Sequence, residues 1–338
     1  METRKVQISG GTTYTVSLPK SWAQEHGIGA GSVLSLHPND DGSLLVEATR
    51  DRSVENRTTT VDVATDADDI VRQRIHALHA VGFDTVTLRD RTGHTAERRG
   101  VVQDTVSKLS GFELLEAGDT RIRLTNLIDA ENVDVRKSAL RLRLVMLGMH
   151  RDAMTAVLDE DATLAQRVVD RDSEADKLFA MVTRHFRRAL TNLHEVEKLA
   201  YGRDELFEYY YACRQFERVA DHAEKIAQFT LNPDVTVPDR FEERLDSLAS
   251  RSRKVVDNAA DVILADAGIE SAHTALTERD AMTDELQALD RDLYGHDDPA
   301  EAYVVGLLVD SIRRTAEYGA NVASIALQQV ARECECST

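Results

Sequence analysis

Apolar and polar positions change rhythm along this chain, and each change marks a domain. In residues 1–48, Tyr14, Val16 and Leu18 alternate with Thr13, Thr15 and Ser17, the period-two pattern of a half-buried strand. Gly10-Gly11 predicts the turn before it. Pro19 stands at the first position of a short helix over Lys20–His26, and Gly27 stops it. Val33, Leu34 and Leu36, an Asp41-Gly42 turn and Leu44–Val46 then predict a hairpin. A module this small buries too little apolar surface to be stable alone, so it must dimerise or pack on a neighbour. Trp22 reads as a core residue.

Residues 49–57 are polar and read as a linker. Residues 58–128 predict a small α/β domain in the order β-α-β-α-β-β. Its strands fall at Thr58–Val63, Thr85–Leu88, Phe112–Leu115 and Thr120–Leu124, and its helices at Asp66–Ala80 and Val101–Leu109. No glycine-rich phosphate loop and no His or Cys cluster gives that domain a chemistry.

From residue 134 a 3.6-residue period takes over. It runs through segments 134–158, 161–192, 200–230, 239–267, 269–294 and 299–333, with breaks at Asp161, Asn232-Pro233, Pro238, Gly268 and Asp298-Pro299. Long helices joined by short breaks pack as antiparallel bundles. Two three-helix units are predicted, over 134–232 and 238–333, because the halves echo each other. Arg171-Asp172-Ser173-Glu174-Ala175-Asp176 corresponds to Arg279-Asp280-Ala281-Met282-Thr283-Asp284. In the third helices, Phe216–Ala223 corresponds to Ile312–Gly319, and Ile226-Ala227 to Val322-Ala323. The predicted protein is therefore multidomain and mainly α.

Charge sharpens this picture. The formal net charge is -18, with acids spread along the helices and not gathered in a tail. Such a surface repels nucleic acid over most of its area. It suits either a halophilic protein, in which concentrated salt screens dense like charge, or an ordinary acidic cytosolic one. Three cysteines (Cys213, Cys334 and Cys336) give no disulfide framework and fit a reducing cytoplasm. Cys334-Glu335-Cys336 reads as a polar tail, with a soft-metal site as the alternative. No secretory leader and no apolar run long enough for a membrane span is evident.

The candidate chemistry lies in the repeats. Asp172/Asp176, Glu217/Asp221 and Asp280/Asp284 are spaced i, i+4, which puts each pair on one helix face. Like charges facing a bundle interior are costly, and a bound cation removes that cost. Oxygen-only ligands suit Mg²⁺, Mn²⁺, Ca²⁺ or iron. A solvated acidic face is the alternative in a chain this acidic. His222 is either a further ligand or a packed neighbour.

With these motifs, residues 134–333 resemble the PhoU family of phosphate-signalling regulators. The resemblance implies metal clusters, of iron or another ion, held by E/D-x-x-x-D motifs on two helices of each repeat. Asp172, Asp176, Glu217 and Asp221 satisfy one such pattern. Asp280, Asp284 and Glu317 match in the second repeat, but Arg313 stands where an acid is expected, and a guanidinium cannot coordinate a cation. The resemblance further implies contact with the phosphate ABC transporter's ATPase or its regulatory partner.

Lys5-Val6-Gln7, Gly10-Gly11 and Tyr14–Trp22 resemble the SpoVT/AbrB swapped-hairpin family, in an archaeal-type fusion with the helical repeats. That resemblance implies an interlaced homodimer contacting DNA through Arg4, Lys5 and Lys20. Against it, these three cations are outnumbered by Glu2, Glu25, Asp40, Asp41 and Glu47, whereas a phosphate-tracking surface is net basic. Two readings therefore stand: a DNA-binding regulator of phosphate uptake, or an adaptor that inhibits the transporter and uses its first module only to dimerise. With no nucleophile-plus-base pattern and no repeated Glu-x-x-His, an enzyme is not expected.

Overall fold

The computed structural model describes residues 3–38, 42–48, 56–232 and 236–335. The chain divides into two compact units, Met1–Asn56 and Arg57–Thr338. Asp41 of the predicted hairpin turn, linker residues 49–55, Pro233, the Cys334 side chain and Cys336 lie outside the description.

In the first unit, β1 (Gln7–Ser9) and β2 (Thr13–Thr15) form an antiparallel hairpin with Ile8 opposite Tyr14. Gly10 and Gly11 make its turn with φ of 65° and 82°, the left-handed region that glycine enters without strain. The second strand stops at Thr15, short of the predicted Leu18. Then come α1 (Lys20–Glu25) and a hairpin of β3 (Leu34–Pro38) and β4 (Leu44–Ala48). Not one described residue of this unit is buried. Trp22, expected in a core, is only half-buried and lies against His26.

The second unit begins with β5 (Thr58–Asp62), α2 (Asp68–Val81), β6 (Thr85–Arg89), α3 (Ala96–Ser107), β7 (Phe112–Ala117) and β8 (Arg121–Asn126). The sheet order is β5-β6-β8-β7, parallel only between β5 and β6. Val86, Leu88, Ile122, Leu124 and Phe112 meet Val71 and Ile75 of α2 and Val102 and Val106 of α3 in one core. Helix α3 starts at Ala96 and not at Val101, because Thr95 accepts the Arg98 N–H and caps an earlier turn.

The rest is helical: α4 (Val135–Leu158), α5 (Ala162–Ala189), α6 (Leu193–Leu199), α7 (Arg203–Thr230), α8 (Asp239–Ala265), α9 (Ile269–Leu293) and α10 (Pro299–Glu335). Asp134 and Asp161 cap α4 and α5 by accepting the N–H groups of Lys137 and Leu164, each at 2.9 Å. Helices α4, α5 and α7 pack as one triple and α8, α9 and α10 as the other, and α4 and α7 meet α8 and α10. A single hydrophobic core runs through both triples. At the closest crossing, a Cβ on Gly319 of α10 would stand 2.8 Å from the Val256 backbone nitrogen of α8. Helix α6 is an addition to the predicted pattern: Asn192 caps it, and Glu195 and Leu199 are buried beneath it. Among the described residues, no helix is long and apolar enough to cross a membrane.

Candidate metal centre

The i, i+4 spacing does its work on α5 and α7, which pack side by side. It turns Asp172 and Asp176 of α5 toward Glu217 and Asp221 of α7. One carboxylate oxygen each of Asp176, Glu217 and Asp221 lies within 4.8 Å of the other two. Asp172 stands one turn from Asp176, and its Oδ1 is closed off from solvent with no hydrogen-bond partner. Arg214 is the neighbouring cation: its Nη1 donates to both Glu217 oxygens at 3.0 Å, while its guanidinium lies over the Phe179 ring.

Electrostatically the cluster is under load. Burial, with Asp176, Glu224 and Asp221 adding repulsion, pushes Asp172 up to about 7. Burial and Asp221 push Glu217 up to about 7, against the pull of Arg214. Asp176 and Asp221 are also raised, chiefly by loss of solvation, although the Asp221 side chain stands at the exposed edge of the cluster. Four carboxyls resisting ionisation beside an unpartnered oxygen form a hard, oxygen-only donor set that a divalent cation would relieve.

His222 does not join the cluster. Its Nδ1 lies 3.3 Å from Ser311 Oγ and its Nε2 3.4 Å from Tyr318 Oη, both on α10, so it packs between the repeats.

The second repeat is arranged differently. Asp280 is 70 % exposed and accepts from Arg279 at 2.7 Å, and Asp284 is exposed. Glu317 accepts from Arg314 at 3.0 Å. Arg313 pairs with Asp290 and lies 3.7 Å from Asp310. Arg279, Asp280, Thr283, Arg313 and Glu317 line a cleft of about 350 Å³ in which guanidinium and carboxylate alternate. Among the described residues, the one group of three converging carboxylate, His or Cys ligands is Asp176, Glu217 and Asp221. Of the predicted DNA contacts, Arg4 and Lys5 precede β1 and Lys20 opens α1, and all three are exposed.

Sequence reasoning missed the residues that fasten the α/β domain to α5. Arg184, only 2 % exposed, donates to Asp84 at 2.6 Å and to the Phe83 and His79 carbonyls at 2.8 and 3.1 Å. Arg188 donates to Asp84 at 2.7 Å, to the Gly82 carbonyl at 3.0 Å and to Glu195 at 2.9 Å. Glu195 also lies 2.5 Å from His185 Nδ1. Burial opposes ionisation of Glu195, but His185 and Arg188 outweigh it and hold its carboxyl below the usual range. Gly82 ends α2 at φ 91°, and a Cβ there would collide with the Arg188 side chain. The signal for this clamp was the basic tract Arg184-His185-Phe186-Arg187-Arg188 in an otherwise acidic chain.

Fold and site define a multidomain, mainly helical protein: tandem three-helix units with a carboxylate cluster in the first, behind a β-rich module and a small α/β domain. The family model "PhoU domain" matches residues 139–230, and "Antidote-toxin recognition MazE, bacterial antitoxin" matches residues 7–53. The chain thus carries a PhoU domain, fused behind a module of the MazE/AbrB swapped-hairpin type. Among solved structures it is similar to PhoU from Pseudomonas aeruginosa, with 22 % identity and a TM-score of 0.50, over 60 % of this chain and 98 % of that one. It is also similar to the phosphate transport system regulatory protein PhoU from Streptococcus pneumoniae, with 17 % identity and a TM-score of 0.45, over 57 % of this chain and 91 % of that one. The Pseudomonas match is a likeness of fold. No curated protein matches the sequence.

Proposed function

We propose that this protein regulates phosphate uptake, holding a divalent cation or iron in its PhoU domain and using its first module to dimerise and bind promoter DNA. The observation that carries the reading is the four-carboxylate cluster, inside the span that matches the PhoU domain. Asp172, Asp176, Glu217 and Asp221 supply hard oxygen ligands, and a cation among them removes the repulsion that raises their pKa values. The second repeat is the weaker candidate, because Asp280 is paired with Arg279 and Glu317 with Arg314, and Arg313 lines the same cleft.

Dimerisation rests on the apolar surface of the first unit. Tyr14 is 75 % exposed and Val33 74 %, and Ile8 and Leu36 are exposed with them. A second copy interlaced through these strands buries that surface, as a module of this size requires. Arg4, Lys5 and Lys20 are the DNA contacts of this reading, and the net negative module around them makes binding strongly salt-dependent. The transport ATPase, or a protein that regulates it, is the partner expected for the bundle.

Elemental analysis of anaerobically purified protein tests the metal. At least one ion per chain is expected, lost in Asp172→Ala/Asp221→Ala and kept in Asp280→Ala. Sub-stoichiometric metal in the parent protein would end that reading. A gel shift against the protein's own upstream DNA, at graded salt, tests the regulator. No specific shift at any salt leaves the adaptor reading, in which the first module only dimerises.

A further inference from the structure

The cleft between α9 and α10 stands where the first repeat holds its carboxylates. In the correspondence of the halves, Asp280 takes the place of Asp172, Arg313 that of Glu217 and Glu317 that of Asp221. All three line this one cleft of about 350 Å³, so the two repeats offer the same location with different chemistry. Arg279 is a second difference. Its counterpart Arg171 reaches α4, where its Nη1 lies 3.2 Å from Asp152 Oδ2, whereas Arg279 lines the cleft.

The two guanidiniums are only partly used. Arg279 donates through Nε to Asp280 at 2.7 Å, and among the described residues its two Nη groups have no acceptor. Arg313 donates through Nη2 to Asp290, while its Nη1 is 3.7 Å from Asp310, beyond hydrogen-bond reach. Among the described residues, the Nε and Nη1 of Arg313 therefore have no acceptor either. Thr283 adds no free donor, because its hydroxyl is committed to the Arg279 carbonyl at 3.1 Å. Leu286 and Ala316, each 2 % exposed, give the cleft an apolar base. Unused N–H groups of two arginines, one on each helix, repel a cation and fit the fork of an oxyanion.

We infer that the cleft of the second repeat binds a phosphate-type oxyanion between Arg279 and Arg313, as the charge-inverted counterpart of the carboxylate cluster. Asp280 and Asp290 hold the two guanidiniums by one N–H group each and leave the others for the ligand. These are pairs of partly exposed side chains, which exchange partners at little cost: Asp280 is 70 % exposed and Asp290 40 %. The oxyanion can be free or the phosphate of a small hydroxylated molecule. In the second case Asp280 and Glu317, which oppose a bare anion, accept the ligand's hydroxyl groups. The inference concerns the second repeat alone and does not depend on a cation in the first.

Calorimetric titration of the full chain tests this, at low salt and after dialysis against EDTA so that no bound metal recruits the anion. Inorganic phosphate is the titrant in one arm and adenosine monophosphate in the other. Arg279→Met and Arg313→Met should each weaken binding about ten-fold or more, the loss expected when charge-assisted hydrogen bonds go. Arg313→Lys, which keeps the charge without the fork, should weaken it by a smaller factor and guards against misfolding of the methionine variant. Arg171→Met removes the same charge from the first repeat and should bind as the parent does. Asp290→Asn should tighten binding about five-fold, because Arg313 loses a competing carboxylate. Phosphate binding that follows this pattern supports a free oxyanion, and the same pattern with adenosine monophosphate alone supports one carried by a larger ligand. Binding of neither, or binding that Arg279→Met and Arg313→Met leave at the parental strength, would overturn the inference.

Discussion

Asp84 is the hinge pin of the second unit, and its removal tests the reading of the clamp directly. Its Oδ1 accepts from Arg184 at 2.6 Å and from Arg188 at 2.7 Å, and its Oδ2 accepts the Arg57 N–H at 3.0 Å. Burial already holds Arg184 down to about 10, with Asp84 as the main opposing influence. In Asp84→Ala both guanidiniums lose their shared carboxylate. Arg188 keeps Glu195, but Arg184 is left with two backbone carbonyls and no counter-charge. Removing one partner of a buried ion pair costs about 3–5 kcal/mol. The carbonyls that remain set the expectation at the low end, about 3 kcal/mol. Arg184→Met should cost less, because Asp84 retains Arg188 and the methionine fills part of the space. The assay is native-state hydrogen exchange of the 57–128 amides, which reads the domain's own opening and not a global average. Protection should fall roughly a hundred-fold in Asp84→Ala. Protection within a factor of about two of the parent would refute the view that this ionic seam holds the domain on α5.

Other expectations follow from the same geometry. The metal-free protein should lose stability as pH rises from about 4, where unfolded carboxyls ionise, to about 7, where folded Asp172 and Glu217 do, because the folded state binds more protons across that window. Denaturant midpoints across pH measure this, and Asp172→Asn/Glu217→Gln should flatten the slope. Glu195 acts in the opposite sense: its depressed pKa contributes stability above the unfolded value, lost as pH falls through the folded one, so Glu195→Gln should blunt acid unfolding. Gly319→Ala should destabilise the second repeat by about 1–3 kcal/mol, since the added methyl meets helix backbone, and urea unfolding followed by circular dichroism reads it. Leu36→Asp should turn a dimer into monomers in light scattering, while a dimer kept by that variant would place the interface elsewhere.

The helices were legible because each buries one stripe in a continuous core, so period and cap residues alone set their positions. Asp134, Asp161 and Gly268 mark their starts within one residue of prediction. Helix α6 was not legible, since seven residues carry too few turns to show a period, and the Asn192 cap and the burial of Glu195 and Leu199 hold it. The early start of α3 was hidden for a related reason. Its first turn is Ala-Glu-Arg-Arg, with no large apolar side chain to signal it, and the Thr95 hydrogen bond marks its start.

By itself the sequence determined the succession of strands and helices and the face on which each carboxylate pair lies, because these follow from local spacing. The folded chain decided what those pairs meet. Packing of α5 against α7 brings Asp176, Glu217 and Asp221 together, while His222, next to Asp221 in sequence, turns toward α10. It also decided that the α/β domain, silent in sequence, is fastened to α5. Spacing along one helix fixes direction, but proximity between distant segments depends on which buried ions, here Asp84 between Arg184 and Arg188, find each other when the core closes.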